Sequence, residues 1–391
     1  MTLIEFFDAN ALHFLVPVFS LKPDKLIIIY DERQYSRDRI EFSVKAVRNR
    51  EPNIPVETIN INLHHVSEIQ TMLEKVVVNE KNENVYMDLT GGDELMTAAG
   101  FYVAKQYELT AVYLNRKERK IISAIDLRVL SDAVELTLDE YLVCLGAKQL
   151  NNSHMEPDPL MYDNILRMAE ATFDDLMSWH ALQKFLGNHI SNQRMSVTIP
   201  EKCVYNEKEY DVRPLLRKFV QYGFLEAKNK NTYQFTSKQS RSYLGIFGIW
   251  LELYVYIHLK RTYSRVHFGV VIDWVGYDGK DTVDNEIDVV LMHHSEPILI
   301  SCKMRKPDPR DVYEIKSLAY NLGGTIGKGV LATTFDVAST MTNPHEIGTR
   351  MGLMNVGVIQ ADDFKKKSTK EIMSAAILPD QFRGRQSMDG M

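Results

Sequence analysis

The sequence predicts an α/β protein in three parts followed by a polar tail. Residues 1–149 read as a parallel sheet with helices on both faces, 150–241 as a linker with a helix-and-hairpin segment, 242–378 as a second α/β unit, and 379–391 as the tail. Three observations predict this. Short apolar runs alternate with amphipathic ones through the first third, the pattern of β-α repeats whose ligands sit at the carboxyl ends of the strands. A polar, proline-bearing break over 151–159 then closes that pattern. In the last third, two branched apolar runs, 287–292 and 298–304, flank His293-His294-Ser295-Glu296-Pro297 and read as adjacent buried strands joined by a hairpin.

Composition narrows the function classes. With 391 residues the chain can bury two or three cores. Its 46 basic against 52 acidic residues create no global field for nucleic acid, so any such binding needs local basic patches. Cys144, Cys203 and Cys302 lie far apart, which suits a reducing compartment and makes neither a disulfide framework nor a zinc site. The first residues carry acids where a signal peptide needs a basic flank, and no apolar run reaches membrane-spanning length. The expectation is a soluble cytoplasmic protein without membrane contact.

In the first part, 2–6, 25–30, 57–62, 84–89 and 111–115 read as strands, with amphipathic helices at 9–21, 37–48, 66–78 and 94–106. The informative turn is Asp88-Leu89-Thr90-Gly91-Gly92-Asp93-Glu94. A strand ends, two glycines turn the backbone, and a helix begins whose free N–H groups attract phosphate. The same residues also make a tight turn with Asp93 as N-cap, and Asn10 equally reads as an N-cap. The basic turn at 116–120 reads as a solvated hairpin tip, and 136–150 as the helix closing the domain.

The D-L-T-G-G turn, followed by Met96 and the small residues Thr97, Ala98, Ala99 and Gly100, resembles the CARF domain, the CRISPR-associated Rossmann-like sensor of cyclic oligoadenylates. The resemblance implies that Leu89, Thr90, Gly91, Gly92 and Asp93 line an activator pocket bordered by Asp8 and Asn10. It also implies a homodimer that binds one symmetric ligand across its two-fold axis. Where the family often has a lysine two residues after the glycines, Glu94 stands here.

In the middle part, helical periodicity runs to about residue 186, and a helix over 212–222 is followed by a hairpin over 224–236. A helix and a basic hairpin outline a winged helix, whose reading helix would offer Arg213, Arg217 and Lys218 to DNA.

In the third part, a helix over 245–259 carries Glu252 among apolar neighbours, and a strand over 266–275 carries Asp273. The two central strands, apolar otherwise, hold Glu286, Asp288, Ser301 and Lys303. An unpaired charge in a core costs several kcal/mol, roughly, so this cluster needs a reason. Either an Asp–Lys pair satisfies itself, or carboxylates hold a cation while the lysine orients a water for phosphodiester hydrolysis. With a helix over 309–322 and strands over 329–334 and 356–360, the segment resembles the PD-(D/E)XK nuclease superfamily, a restriction-endonuclease-like α/β fold. Asp288 is the motif aspartate, and Ser301-Cys302-Lys303 stands in place of (D/E)-X-K, with Ser301 where an acid is usual.

The resemblance implies that Glu252, Asp288, Glu286 and the Cys302 carbonyl bind Mg²⁺ or Mn²⁺, that Lys303 positions the attacking water and that Ser301 makes a secondary contact. Arg305, Lys306 and Arg310 cluster just beyond, placed to meet a nucleic-acid backbone without reading its sequence. Together the three parts resemble the CRISPR ancillary nucleases activated by cyclic tetra-adenylate, which cut RNA, DNA or both as homodimers. Two rivals stand beside that reading. One is a ligand-gated DNA-binding regulator with an inactive nuclease domain. The other is a sensor that degrades its own cyclic messenger.

Overall fold

The computed structural model describes residues 1–61, 65–81, 84–190, 194–275, 282–335, 351 and 354–377. The sequence also predicts a turn over 276–279 with Asp278 and a helix around 344–353 with Arg350; these and the tail at 379–391 lie outside the described residues, apart from Met351.

The first sheet is built from β1 (Thr2–Phe6), β2 (Lys25–Tyr30), β3 (Val56–Asn60), β4 (Val85–Asp88), β5 (Thr110–Asn115), β6 (Lys120–Ser123) and β7 (Val129–Asp132), in the order β3-β2-β1-β4-β5-β6-β7. Strands β3 to β5 pair in parallel, and β6 and β7 add an antiparallel edge. Helices α1 (Ala11–Leu21), α2 (Arg37–Arg50), α3 (Val66–Asn79), α4 (Glu94–Gln106) and α5 (Leu138–Leu145) cover it. Helices α3 and α4 bury Ile69, Leu73, Met96 and Val103 against one face, while α1, α2 and α5 cover the other. The helix expected over 136–150 stops at Gly146, whose φ of 76° is left-handed. The chain then becomes β8 (Ala147–Gln149), which pairs with a strand of the second α/β unit.

In the middle, α6 (Tyr162–Asp174) and α7 (Leu176–His189) break at Asp175. Strands β9 (Ser196–Thr198), β10 (Lys202–Tyr205), β11 (Lys208–Asp211), β12 (Leu225–Ala227) and β13 (Thr232–Phe235) form two small antiparallel sheets around α8 (Arg213–Gln221) and α9 (Lys238–Gly245). The hairpin after α8 matches the winged outline, but β9 to β11 are too short to carry a periodic signal. The guanidinium of Arg213 is held by Asp211 and Glu201 rather than presented to a ligand.

The last unit contains α10 (Ile249–Lys260), β14 (Val266–Val275), β15 (Thr282–His293), β16 (Glu296–Lys303), α11 (Pro309–Gly323), β17 (Lys328–Thr333), β18 (Val356–Gln360) and α12 (Thr369–Ile377). Its sheet runs β18-β17-β16-β15-β14-β8. The sixth strand is therefore donated by the first domain. One core, holding Leu12, Phe14, Leu142, Ile272, Leu299 and Ile315, spans the space between the two large sheets. The two α/β units are thus welded face to face rather than strung on a linker. Among the described residues no single helix is long and apolar enough to cross a membrane.

Candidate active site

Helix α10 is apolar all round and accordingly buried, and Glu252 is its one buried charge, 7% exposed. Its Oε2 finds no hydrogen-bond partner. Loss of water, then the nearby Asp288 and Glu286 carboxylates, hold its carboxyl well above the usual carboxylate range, and Lys303 opposes them. The four residues expected to act together are therefore within one another's electrostatic reach.

The strands position them by forking. Strands β15 and β16 pair from the two-residue turn His294-Ser295, both with left-handed φ, as far as Val289 and Ile300, and then separate. The freed N–H of Cys302 donates to Asp288 Oδ2 at 2.6 Å. Simple alternation puts Glu286 and Asp288 on one face. The structure breaks alternation here, because Phe268 and Val289 face the core under α10 whereas Val270 and Ile287 face the core shared with the first domain. The ladder between β14 and β15 omits Gly269, which has φ +56°, and Asp288 opposite it. Asp288 is pushed up to about 6 by burial, against the Cys302 N–H and Lys303. Glu314, on the exposed face of α11, adds to that push. Cys302 itself is a buried thiol held well above its ordinary range by burial, and the expected donor there is its carbonyl.

Among the described residues no group of three His, Cys, Asp or Glu side chains already converges as a metal site. The donor set nonetheless fits a divalent cation. A buried Glu252 oxygen lacks a partner, and the carboxylates of Asp288 and Glu286 repel it. Ser301 is half-buried on β16 and Lys303 ends that strand. Of the three basic residues beyond, Arg305 is engaged by both carboxylate oxygens of Asp311, at 2.6 and 2.9 Å, and so braces the start of α11. Lys306 and Arg310 stand exposed.

His154, placed by the sequence in a linker, is the residue that sequence reasoning missed here. Its Nε2 lies 3.4 Å from Glu286 Oε1 and 3.9 Å from Glu252 Oε2. The available signal was Gly269, because a glycine inside a strand often marks the close approach of another backbone.

At the first domain's turn, Thr90 is locked from both sides: its N–H and hydroxyl donate to Asp88 Oδ1, and its Oγ1 accepts from Leu114 N–H. Leu89 is buried. Asp93 caps α4 through Met96 N–H, and Asn10 caps α1 through Leu12 N–H. Asn10 Nδ2 also donates to the carbonyl of Gly323 at the end of α11, at 3.0 Å, while Asp8 accepts from Asn10 N–H and bonds His13. The Asp8–Asn10 loop is thus committed to joining the turn to the second α/β unit. Gly91 and Gly92 are what the close packing demands: a Cβ at Gly91 would stand 2.6 Å from the Phe6 carbonyl oxygen, and Gly92 has φ +81°. The basic turn at 116–120 is not a free tip, since Arg116 meets Glu296 and Arg119 meets His294.

Beneath the turn, Glu5 and Asp88 stand side by side on β1 and β4, both fully buried. Burial, then the neighbouring Asp88, holds Glu5 well above the usual range, and burial pushes Asp88 up to about 6. Above the ordinary carboxylate range the folded state therefore binds more protons than the unfolded one. The stability these two groups supply is present at low pH and lost as pH rises through their folded pKa values. Glu5→Gln should remove that loss for Glu5 and so raise stability more at pH 8 than at pH 5. Thermal melts of both proteins at the two pH values test this, and equal differences at both would contradict it.

Residues 239–363 match the family model of the Card1-like endonuclease domain, and residues 14–141 that of the Card1 CARF domain. The fold is also that of protein VC1899 from Vibrio cholerae, at 16% identity and a TM-score of 0.77, over 96% of this chain and 97% of that one. It is similar to Can2 from Sulfobacillus thermosulfidooxidans, solved in complex with cyclic tetra-adenylate, at 18% identity and a TM-score of 0.69, over 96% and 99% of the two chains. No curated protein matches. With one model matched by its front, the other by its back, and the glycine turn and the forked strands falling inside those two matches, the chain is a Card1 CARF domain joined to a Card1-like endonuclease domain.

Proposed function

We propose that the protein is a homodimeric, metal-dependent endonuclease of RNA, DNA or both, switched on by cyclic tetra-adenylate at its CARF domain in CRISPR defence. The observation that carries this is the fork between β15 and β16. It turns Asp288 out of the ladder, beside a buried Glu252 oxygen that lacks any partner. Asp288, Glu252 and Glu286 would hold Mg²⁺ or Mn²⁺, with the Cys302 carbonyl as a further oxygen. When bound, such an ion supplies charge to the scissile phosphate and acidifies a water. Lys303 donates a hydrogen bond that orients the attacking water, Ser301 makes a secondary contact, and Lys306 and Arg310 neutralise flanking phosphates.

On the sensor side, the glycine turn offers main-chain N–H groups to the activator's phosphates. Leu95, Phe101 and Tyr102, all exposed on α4, supply apolar surface for pairing with a second copy. The Can2 complex supports cyclic tetra-adenylate as the activator, and the free Cys144, Cys203 and Cys302 suit the cytoplasm. The engagement of Arg213 by acids removes one of the groups an operator-binding role would use.

The test is incubation of RNA, single-stranded DNA and supercoiled plasmid with Mn²⁺ or Mg²⁺, with and without cyclic tetra-adenylate. Cleavage of at least one substrate that requires both metal and activator is expected. No cleavage of any of them with both present would overturn the assignment.

A further inference from the structure

The segment joining the CARF domain to the middle of the chain does not hang free. After β8 pairs with β14, Leu150 N–H donates to the Val271 carbonyl and Ser153 N–H to the Gly269 carbonyl, at 2.8 and 2.9 Å. The segment is pinned again beyond His154, where Tyr243 Oη donates to the Met155 carbonyl and Gln239 to that of Glu156. Gly269 is what admits it: a Cβ there would stand 2.7 Å from Ser153 Oγ and 3.3 Å from His154 N. A backbone held on both sides and threaded past a left-handed glycine delivers one side chain, His154, to the carboxylate cluster. Its ring sits 6.1 Å from that of Phe268, and its side chain is 14% exposed.

We propose that His154 is a nitrogen ligand of the divalent cation in the nuclease site, which makes that site favour Mn²⁺ over Mg²⁺. This rests on the metal-dependent reading above. Two donors on one ion, each about 2.1 Å from it, lie about 3.0 Å apart at right angles and about 4.2 Å apart when opposite. The His154 separations of 3.4 and 3.9 Å from Glu286 and Glu252 fall inside that span. An imidazole that only pairs with Glu286 leaves Glu252 Oε2 buried and unsatisfied, whereas a cation between the three donors satisfies it. Mg²⁺ takes oxygen ligands and keeps its waters, so a nitrogen adds little to its binding. First-row transition ions gain from nitrogen donors, and Mn²⁺ is the one this oxygen-rich set suits.

The experiment uses the full chain, because residues 147–154 are held by both α/β units. Mn²⁺ and Mg²⁺ are titrated calorimetrically into wild type, His154→Gln and Asp288→Asn, and pulsed EPR of the Mn²⁺-loaded proteins reads nitrogen hyperfine coupling. In His154→Gln, Mn²⁺ affinity should fall about tenfold and Mg²⁺ affinity should change less, with the nitrogen coupling of wild type lost. An unchanged melting temperature without metal shows that the variant is folded. Absence of nitrogen coupling in wild type, or unaltered Mn²⁺ affinity in His154→Gln while Asp288→Asn loses it, overturns the role of His154 and leaves the nuclease reading standing. If wild type binds neither ion, the metal-dependent reading fails, and the ligand role with it.

Discussion

Asp288→Asn should abolish cleavage, with a loss of about 10³-fold or more. Withdrawing charge stabilisation of several kcal/mol from a phosphoryl transition state has that effect, at a factor of ten per 1.4 kcal/mol, roughly. The substitution is suited to the purpose because an amide oxygen can still accept the Cys302 N–H that Asp288 Oδ2 accepts now. It also removes a like charge that raises Glu252, so the metal-free protein should melt no lower than wild type. Added Mn²⁺ should raise the melting temperature of wild type and not of the variant, since only a state that binds the ion is stabilised by it. A variant that cleaves at the wild-type rate under saturating activator and metal would remove Asp288 from the mechanism.

Gly91→Ala should cost most of the affinity for cyclic tetra-adenylate. Even one methyl would stand 2.6 Å from the Phe6 carbonyl oxygen and 3.0 Å from Asp8 Cβ, and the first of these is backbone at the end of the buried strand β1. The turn has to move instead, and its N–H donors move with it. Charge-assisted hydrogen bonds are worth about 1.5–3 kcal/mol each, so losing two weakens binding by about 10² to 10⁴-fold. The same displacement presses on Asp8 and, through Asn10, on the Gly323 carbonyl at the end of α11. Activation at saturating ligand should therefore suffer as well. Calorimetric titration of the activator into the full-length variant measures the first effect, and wild-type affinity there would show that the turn does not hold the ligand.

The β-α repeats of the first domain were legible because the central strands β1 and β2 are buried on both faces and helices such as α2 and α4 on one, which writes continuous apolar runs and a period of 3.6 into the local sequence. Strands 2–6 and 25–30 and helix 94–106 stand where periodicity puts them. The edge strand β7 and the short strands β9 to β11 were not legible, since three or four residues, most of them exposed or half-exposed, carry too little pattern. The candidate nuclease residues could be read as charges stranded in apolar runs. Their disposition could not, because a fork between two strands and a change of face at Gly269 leave no periodic trace.

By itself the sequence determined the order of elements, the glycine turn after Asp88 and the presence of Glu252, Glu286, Asp288 and Lys303 in apolar surroundings. Tertiary structure alone decided that residues 147–149 leave their own domain to complete the other domain's sheet. It also decided that Asn10 bonds Gly323, and that a linker histidine comes to lie against Glu286 and Glu252. Each of these is a pairing between residues more than ninety positions apart. Local propensity describes how a segment folds on itself, and such contacts are fixed only when two finished surfaces bury each other.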